Sequence, residues 1–338
     1  MSIRSLLLCL CAATTPAQAG LLAHWKLDSS PADEMADHPM TWNDTASYIS
    51  QTAAPASTAA ANLSGGWLSA GTAINFTDSQ AFSATAWIKG TQQDSTVIGD
   101  MLQDEGRKGW ELHVGTTENG GDAKSVTVLL SSDYPAIAIQ VNASVDVLDD
   151  QWHHVAFTYD GSSTAAGVKI YVDGAAVATT TRIDTLGSTI ANNETAPLNI
   201  GTRMDGAAHT FTGSIDEVAL YDHALSSANM ASIFQNGVES ISFPQVAATI
   251  PQAGQSVDTL TTADVRFSFP VSGMDAGDLR VNGVAAAAVE AIDSKNYRFS
   301  FTAPPQGDVY FTWTTGHGIT GLNGVPAQPT GWSCRFVP

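Results

Sequence analysis

The sequence is poor in positive charge. Its 338 residues include 14 Lys and Arg against 33 Asp and Glu, giving a net charge of −19 and a pI near 4.4. So few cations cannot displace the counterions of a phosphate backbone, which excludes nucleic acid as a partner. The same sign argument excludes insertion at an anionic membrane surface. Charge of either sign is scarce, at 14% of residues against about a quarter in an average globular protein. Cysteine is nearly absent as well. Of Cys9, Cys11 and Cys334, the first two fall within an N-terminal leader. The single thiol left forms no intramolecular disulfide, so stability has to come from a packed core. Cys334, beside Trp332 and Phe336, reads as a buried small hydrophobe. Long apolar runs are missing too, so nothing after the leader suits a span of about 20 residues. What the chain does have is 43% hydrophobic residues and eight Trp, which exclude a disordered chain.

Residues 1–19 read as a secretory signal peptide. Arg4 supplies the early cation, Leu6–Ala13 the apolar stretch and Ala17-Gln18-Ala19 the small-residue end. Neither leader cysteine follows the small residue that a lipoprotein signal requires, so the expected product is released and not lipid-anchored.

Strand signals dominate the remainder. Short alternating or β-branched runs stand between Gly, Asp, Asn and Ser clusters, as in an antiparallel all-β protein. They include Leu21–Leu27, Phe82–Gly90, Gly109–Val114, Ser125–Ser131, Trp152–Gly161, Val168–Thr180, Pro197–Arg203 and Gly213–Asp222. Asp173-Gly174 predicts a tight hairpin, because a type I′ turn needs positive φ at both central residues. One helix is expected over Ser226–Gly237, with a Ser cap, a Met230, Ile233 and Phe234 stripe, and a Gly stop. Residues 238–244 read as a linker containing Pro244, and 245–338 as a second, smaller all-β unit. Ala53–Ala61 reads as an exposed loop of low complexity. No internal repeat relates the two parts.

The strings LLAHWKLD, FSATAWIKG, WHHVAFTYDGSS, VKIYVDG and GSIDEVALYDHALSS occur in that order between Leu21 and Ser227. In order and spacing they resemble the laminin-G-like jelly roll of the concanavalin A-like lectin/glucanase superfamily. The resemblance covers residues 20–237. Residues 245–338 resemble a bacterial Ig-like domain in size, strand rhythm and the AATIPQAGQSV opening. The implied fold class is all-β, an antiparallel jelly-roll sandwich plus a smaller Ig-like β-sandwich. Lectins, glycan-cleaving enzymes and adhesive modules all share the first of these folds, so the sites have to decide.

Retaining glucanases of this superfamily carry paired carboxylates as Glu-x-Asp-x-x-Glu or Glu-x-Asp-x-Glu, which sets nucleophile and acid about 5 Å apart. Neither string occurs in this sequence, and neither does a Gly-x-Ser-x-Gly elbow. Catalysis is therefore not expected. His153-His154 are strand neighbours facing opposite ways and do not form a metal pair. Strand periodicity puts Asp216 on one face with Val218 and Leu220, a core-facing carboxylate that needs backbone donors or a cation. The resemblance implies a structural calcium ion at the sheet rim, with Asp216 and Asp28 as contributors. For a glycan the candidate stacking residues are Trp42, Trp110 and Tyr134, read as lying in or beside loops, although a Trp more often helps fill a sandwich core. Trp25, Trp87 and Trp152 read as core. The function these readings favour is a secreted, non-catalytic module that recognises a polysaccharide or cell-surface glycan. The alternatives are an adhesive module that binds an extracellular protein, and a hydrolase with an unrecognised site.

Overall fold

The computed structural model describes residues 20–338 apart from 35–37, 45, 73, 75, 78, 104–105, 118–120, 188–195, 205, 207, 242–243, 322–325 and 328. The leader at 1–19 therefore lies outside the described residues.

Two eight-stranded antiparallel sheets form the larger part. The first runs, in spatial order, through Ala175–Ala176, Val168–Val172, His153–Tyr159, Phe82–Gly90, Thr212–Tyr221, Ala60–Ser64 and Ala46–Ile49. Its eighth strand, Leu21–Trp25, pairs with the far end of Thr212–Tyr221. The second sheet runs through Thr180–Asp184, Ile137–Ala143, Val126–Asp133, Gly109–Val114, Ser95–Gly99, Asn199–Ile200, Trp67–Ser69 and Thr41–Asn43. Alternation builds the core between them, as a pleated strand requires. Ala84, Ala86 and Ile88 point inward from one sheet; Trp110, Leu112 and Val114 point inward from the other. The predicted hairpin is present, with Asp173 at φ 51 and Gly174 at φ 75. Its second arm is only two residues long. After Ala176 the chain leaves the first sheet and pairs again at Thr180 with Asn142 of the second, so Val168–Thr180 is not one hairpin.

The predicted helix spans Ser227–Asn236. Ser226 and Asn229 form its capping box, and Gly237 at φ 86 ends it. It covers the outward face of the first sheet, where Met230 and Ile233 pack against Tyr171, Ala219 and Tyr221. Val238 and Ile241 join this cluster, so the chain stays packed on that sheet for part of the expected linker. No helix among the described residues is long and apolar enough to cross a membrane.

From Val246 onward a four-stranded and a five-stranded sheet share a second core that contains Phe267, Phe299 and Phe311. Cys334 is buried within it at 3% exposure. Ser256–Val257 pairs in parallel with Trp332–Phe336, unlike the antiparallel pairs around it. None of the residues grouped in this core belongs to the cores of the first two sheets.

Candidate functional site

The outward face of the second sheet is polar apart from a small cluster of Met101, Leu129 and Ala138. Cross-strand partners share a face, and the register aligns Thr96, His113, Thr127 and Asn142 in one row across four strands. The neighbouring row is Gly99, Glu111, Leu129 and Gln140. Glu111, His113, Thr127, Gln140 and Asn142 are each no more than 2% exposed. Polar groups so deeply buried are tolerable only when they are bonded, and these form a network. Asn142 Nδ2 donates to Thr127 Oγ1 at 2.9 Å, and Gln140 Nε2 donates to Asn142 Oδ1 at 3.3 Å. The Thr96 hydroxyl donates to Glu111 Oε2 at 2.9 Å.

Arg203 reaches into this face from the segment after Asn199–Ile200. Its Nε donates to Glu111 Oε2 at 3.0 Å and its Nη2 to Oε1, a bidentate ion pair. Burial alone would raise the Glu111 carboxyl, but the Arg203 and His113 charges outweigh it and hold the group well below the usual carboxylate range. Gly99 makes room for the pair. A Cβ there would stand 2.7 Å from Glu111 Cβ and 2.5 Å from the Trp110 carbonyl oxygen. A carboxylate held ionised in this way fixes hydrogen bonds and is not a proton donor. Removing either partner would leave a buried unpaired charge, at a cost of about 3–5 kcal/mol.

At the edge of the polar face His113 Nε2 lies 3.2 Å from Asp94 Oδ1, and His209 Nδ1 lies 3.2 Å from the same oxygen. His113 Nδ1 faces Glu111 Oε1 at 3.6 Å. These three residues, with Glu111 and Arg203, were not read as a site from the sequence. Asp94 and His113 are 19 positions apart, Asp94 and His209 115, and no motif links them. The hairpin register that pairs Thr96 with His113 and the Thr96 N–H bond to the His209 carbonyl bring them together.

A laminin-G family model, described as the concanavalin A-like lectin/glucanases superfamily, matches residues 62–231. The chain belongs to this superfamily. None of the curated proteins matches its sequence. Among solved structures it is similar to domain 4 of AbnA, a GH43 extracellular arabinanase from Geobacillus stearothermophilus, in complex with arabinotriose. That similarity has 20% identity and a TM-score of 0.49, over 64% of this chain and 100% of that one. Similarity to the CBM40 of the Ruminococcus gnavus IT-sialidase has 16% identity and a TM-score of 0.35, over 46% and 83%. For the binding domain of Paraclostridial Mosquitocidal Protein 1 the values are 10% and 0.46, over 90% and 73%.

Within this concanavalin A-like frame the three candidate aromatics separate. Tyr134 is half-buried at the polar face, where its hydroxyl donates to Gln140 Oε1 at 3.1 Å and the Arg107 guanidinium lies 4.8 Å from its ring centre. Trp42 is half-buried on the opposite edge strand, with its indole N–H donating to the Tyr48 hydroxyl at 3.0 Å. Trp110 corrects the expectation. It is 2% exposed in the core, packed against Phe76, Phe82 and Phe157, because its strand turns Glu111 outward and Trp110 inward. Trp152 also departs from its core reading, standing half-buried just ahead of its strand.

Asp216 is fully buried, but on the other face from the one predicted. A bulge between Asp216 and Ala219, with Glu217 at φ 47, shifts the register. Ile215, Val218 and Leu220 face the core, whereas Asp216 pairs with Trp87, which stacks on Phe234 of the helix. Asp216 Oδ2 accepts from the Thr52 hydroxyl and Oδ1 from the Glu217 N–H at 3.0 Å. Burial, with a smaller push from Glu217, raises its carboxyl to about 7. Asp28 meets the same loop. Its Oδ1 accepts from the N–H groups of Thr58 and Ala59 and from the hydroxyls of Ser57 and Thr58, at 2.6–3.1 Å. The segment expected to be a plain exposed loop therefore holds Asp28, and Thr52 just ahead of it holds Asp216. The group assembled there is carboxylates and hydroxyls, hard oxygens of the kind calcium takes.

Proposed function

We propose that the protein is a secreted recognition module whose outward face on the second sheet binds a neutral glycan. The observation that carries this reading is the polar row from Thr96 to Asn142, flanked by Glu111 and by Gln140, with Tyr134 bonded to Gln140. Amide and hydroxyl groups are fixed there by mutual bonds beside an aromatic ring, which is the chemistry that pairs with sugar hydroxyls and stacks on a sugar face. The low overall charge suits a neutral polymer. The leader at Met1–Ala19 would direct the chain out of the cell, and the unit after Val246 would act as spacer or partner contact.

A glycan array tests the reading. Saturable binding to at least one oligosaccharide is expected, and Tyr134→Ala should weaken it about tenfold, the loss of one stacking contact of about 1–1.5 kcal/mol. An array with no binding at all would overturn it. The adhesive alternative is favoured by Ile250, Val284 and Tyr310, which are 65%, 71% and 57% exposed on the C-terminal sheets; it predicts an empty array.

A calcium ion at the rim belongs to the same proposal. Asp28, Asp216, Thr52 and Ser57 would hold it, and it would neutralise the Asp216 carboxylate, which has no cationic side chain bonded to it among the described residues. A thermal melt should shift down on adding EDTA and recover with excess Ca²⁺; an unchanged Tm would contradict the ion.

A further inference from the structure

Asp94 opens the strand Ser95–Gly99, His113 lies across the hairpin from Thr96, and His209 is pinned to Thr96 by a 2.8 Å backbone bond. One ligand atom from each of Asp94, His113 and His209 lies within 4.8 Å of the other two, and His113 Nε2 and His209 Nδ1 each stand 3.2 Å from Asp94 Oδ1. Zinc bonds of about 2.0–2.1 Å in tetrahedral geometry place neighbouring donors about 3.3 Å apart, so two of the three separations already have the required size. The rings of His113 and His209 meet edge to face, with centroids 5.3 Å apart.

The support behind the trio is built as metal sites build it. A ligating imidazole normally turns its other nitrogen to a carboxylate that fixes its orientation. His113 Nδ1 faces Glu111 Oε1, and Glu111 is itself locked by Arg203 and Thr96. The sheet interior thus anchors one ligand rigidly, while Asp94, with its side chain 56% exposed, leaves an approach from solvent.

We propose that Asp94, His113 and His209 form a binding site for a borderline divalent transition metal, zinc in the first instance, with the fourth coordination position open. Two imidazoles and one carboxylate select such ions over Ca²⁺ and Mg²⁺, which take all-oxygen sets. Three protein ligands leave a position for water or for a hydroxyl of a bound molecule. The site lies apart from the Asp28 and Asp216 rim and does not depend on the glycan reading.

The test is competition between untagged full-length protein and a chromogenic zinc chelator at pH 7.5. One equivalent of Zn²⁺ is expected to be taken up with a Kd in the micromolar range or below. A hundredfold excess of Ca²⁺ should not displace it. Asp94→Asn, at an exposed position, and His209→Ala, at a half-buried one, should each weaken uptake at least tenfold and leave the metal-free Tm unchanged. His113 is left intact because it braces Glu111. No uptake by the native chain, or equal uptake by both variants, overturns the proposal. If a variant lowers the metal-free Tm, zinc protection decides: the native protein must gain Tm with one equivalent of Zn²⁺ and the variant must not.

Discussion

His154 is buried against Trp87 and Phe234, and among the described residues neither of its ring nitrogens has a hydrogen-bond partner. Its neighbour His153 behaves oppositely: half-buried, it lies between Asp173 at 3.0 Å and Asp149 at 3.2 Å. Strand alternation made this division legible in the sequence, but not which ring would lack partners. Burial lowers the His154 pKa to about 4, against roughly 6.5 in the unfolded chain. Between these values the unfolded state binds more protons, so stability falls as pH drops from about 6.5 to 4 and is indifferent to this group above that window. At pH 5 the linkage is worth roughly 2 kcal/mol. His154→Leu should therefore raise Tm, and raise it more at pH 5 than at pH 8, in paired thermal melts. Equal shifts at both pH values would contradict the assignment. Trp110 teaches a related lesson. Its type gave no indication whether it filled a core or met a ligand, and only the alternation with Glu111 settled it.

At the level of elements, the Asp173-Gly174 hairpin and the Ser226-capped helix were both legible because each depends on local chemistry alone. Their contact was not. A Cβ on Gly174 would stand 2.7 Å from Phe234 Cβ, so the turn and the helix share one close approach. Gly174→Ala combines a left-handed backbone cost of about 1–2 kcal/mol with displacement of Phe234 from its stack on Trp87. A fall in Tm of a few degrees is expected, together with a loss of near-ultraviolet dichroism from Trp87. An unchanged melt would show that the helix does not press on the turn. The bulge at Glu217 was the element that sequence reasoning missed. Strict alternation through Gly213–Asp222 put Asp216 with Val218 and Leu220, and one extra residue reversed it. Glu217 adopts positive φ without being glycine, and its carboxylate is held 2.5 Å from His24, 193 positions away. No local signal announces such a partner.

For the molecule as a whole, five strings in order were enough to place the jelly roll, since strand order and turn chemistry fix that architecture. The polar face was not readable in the same way. It is assembled from four strands and an arginine that lies 92 positions beyond Glu111, and each residue alone looks like an ordinary strand residue. The rows appear only when register is known. Hydrogen exchange, with and without a saturating oligosaccharide identified on the array, tests the recognition surface most directly. Protection concentrated in Gly109–Val114, Val126–Asp133 and Ile137–Ala143 and around Arg203 is the expected result. Protection confined to the sheets after Val246, or to the helix-covered face of the first sheet, would contradict it.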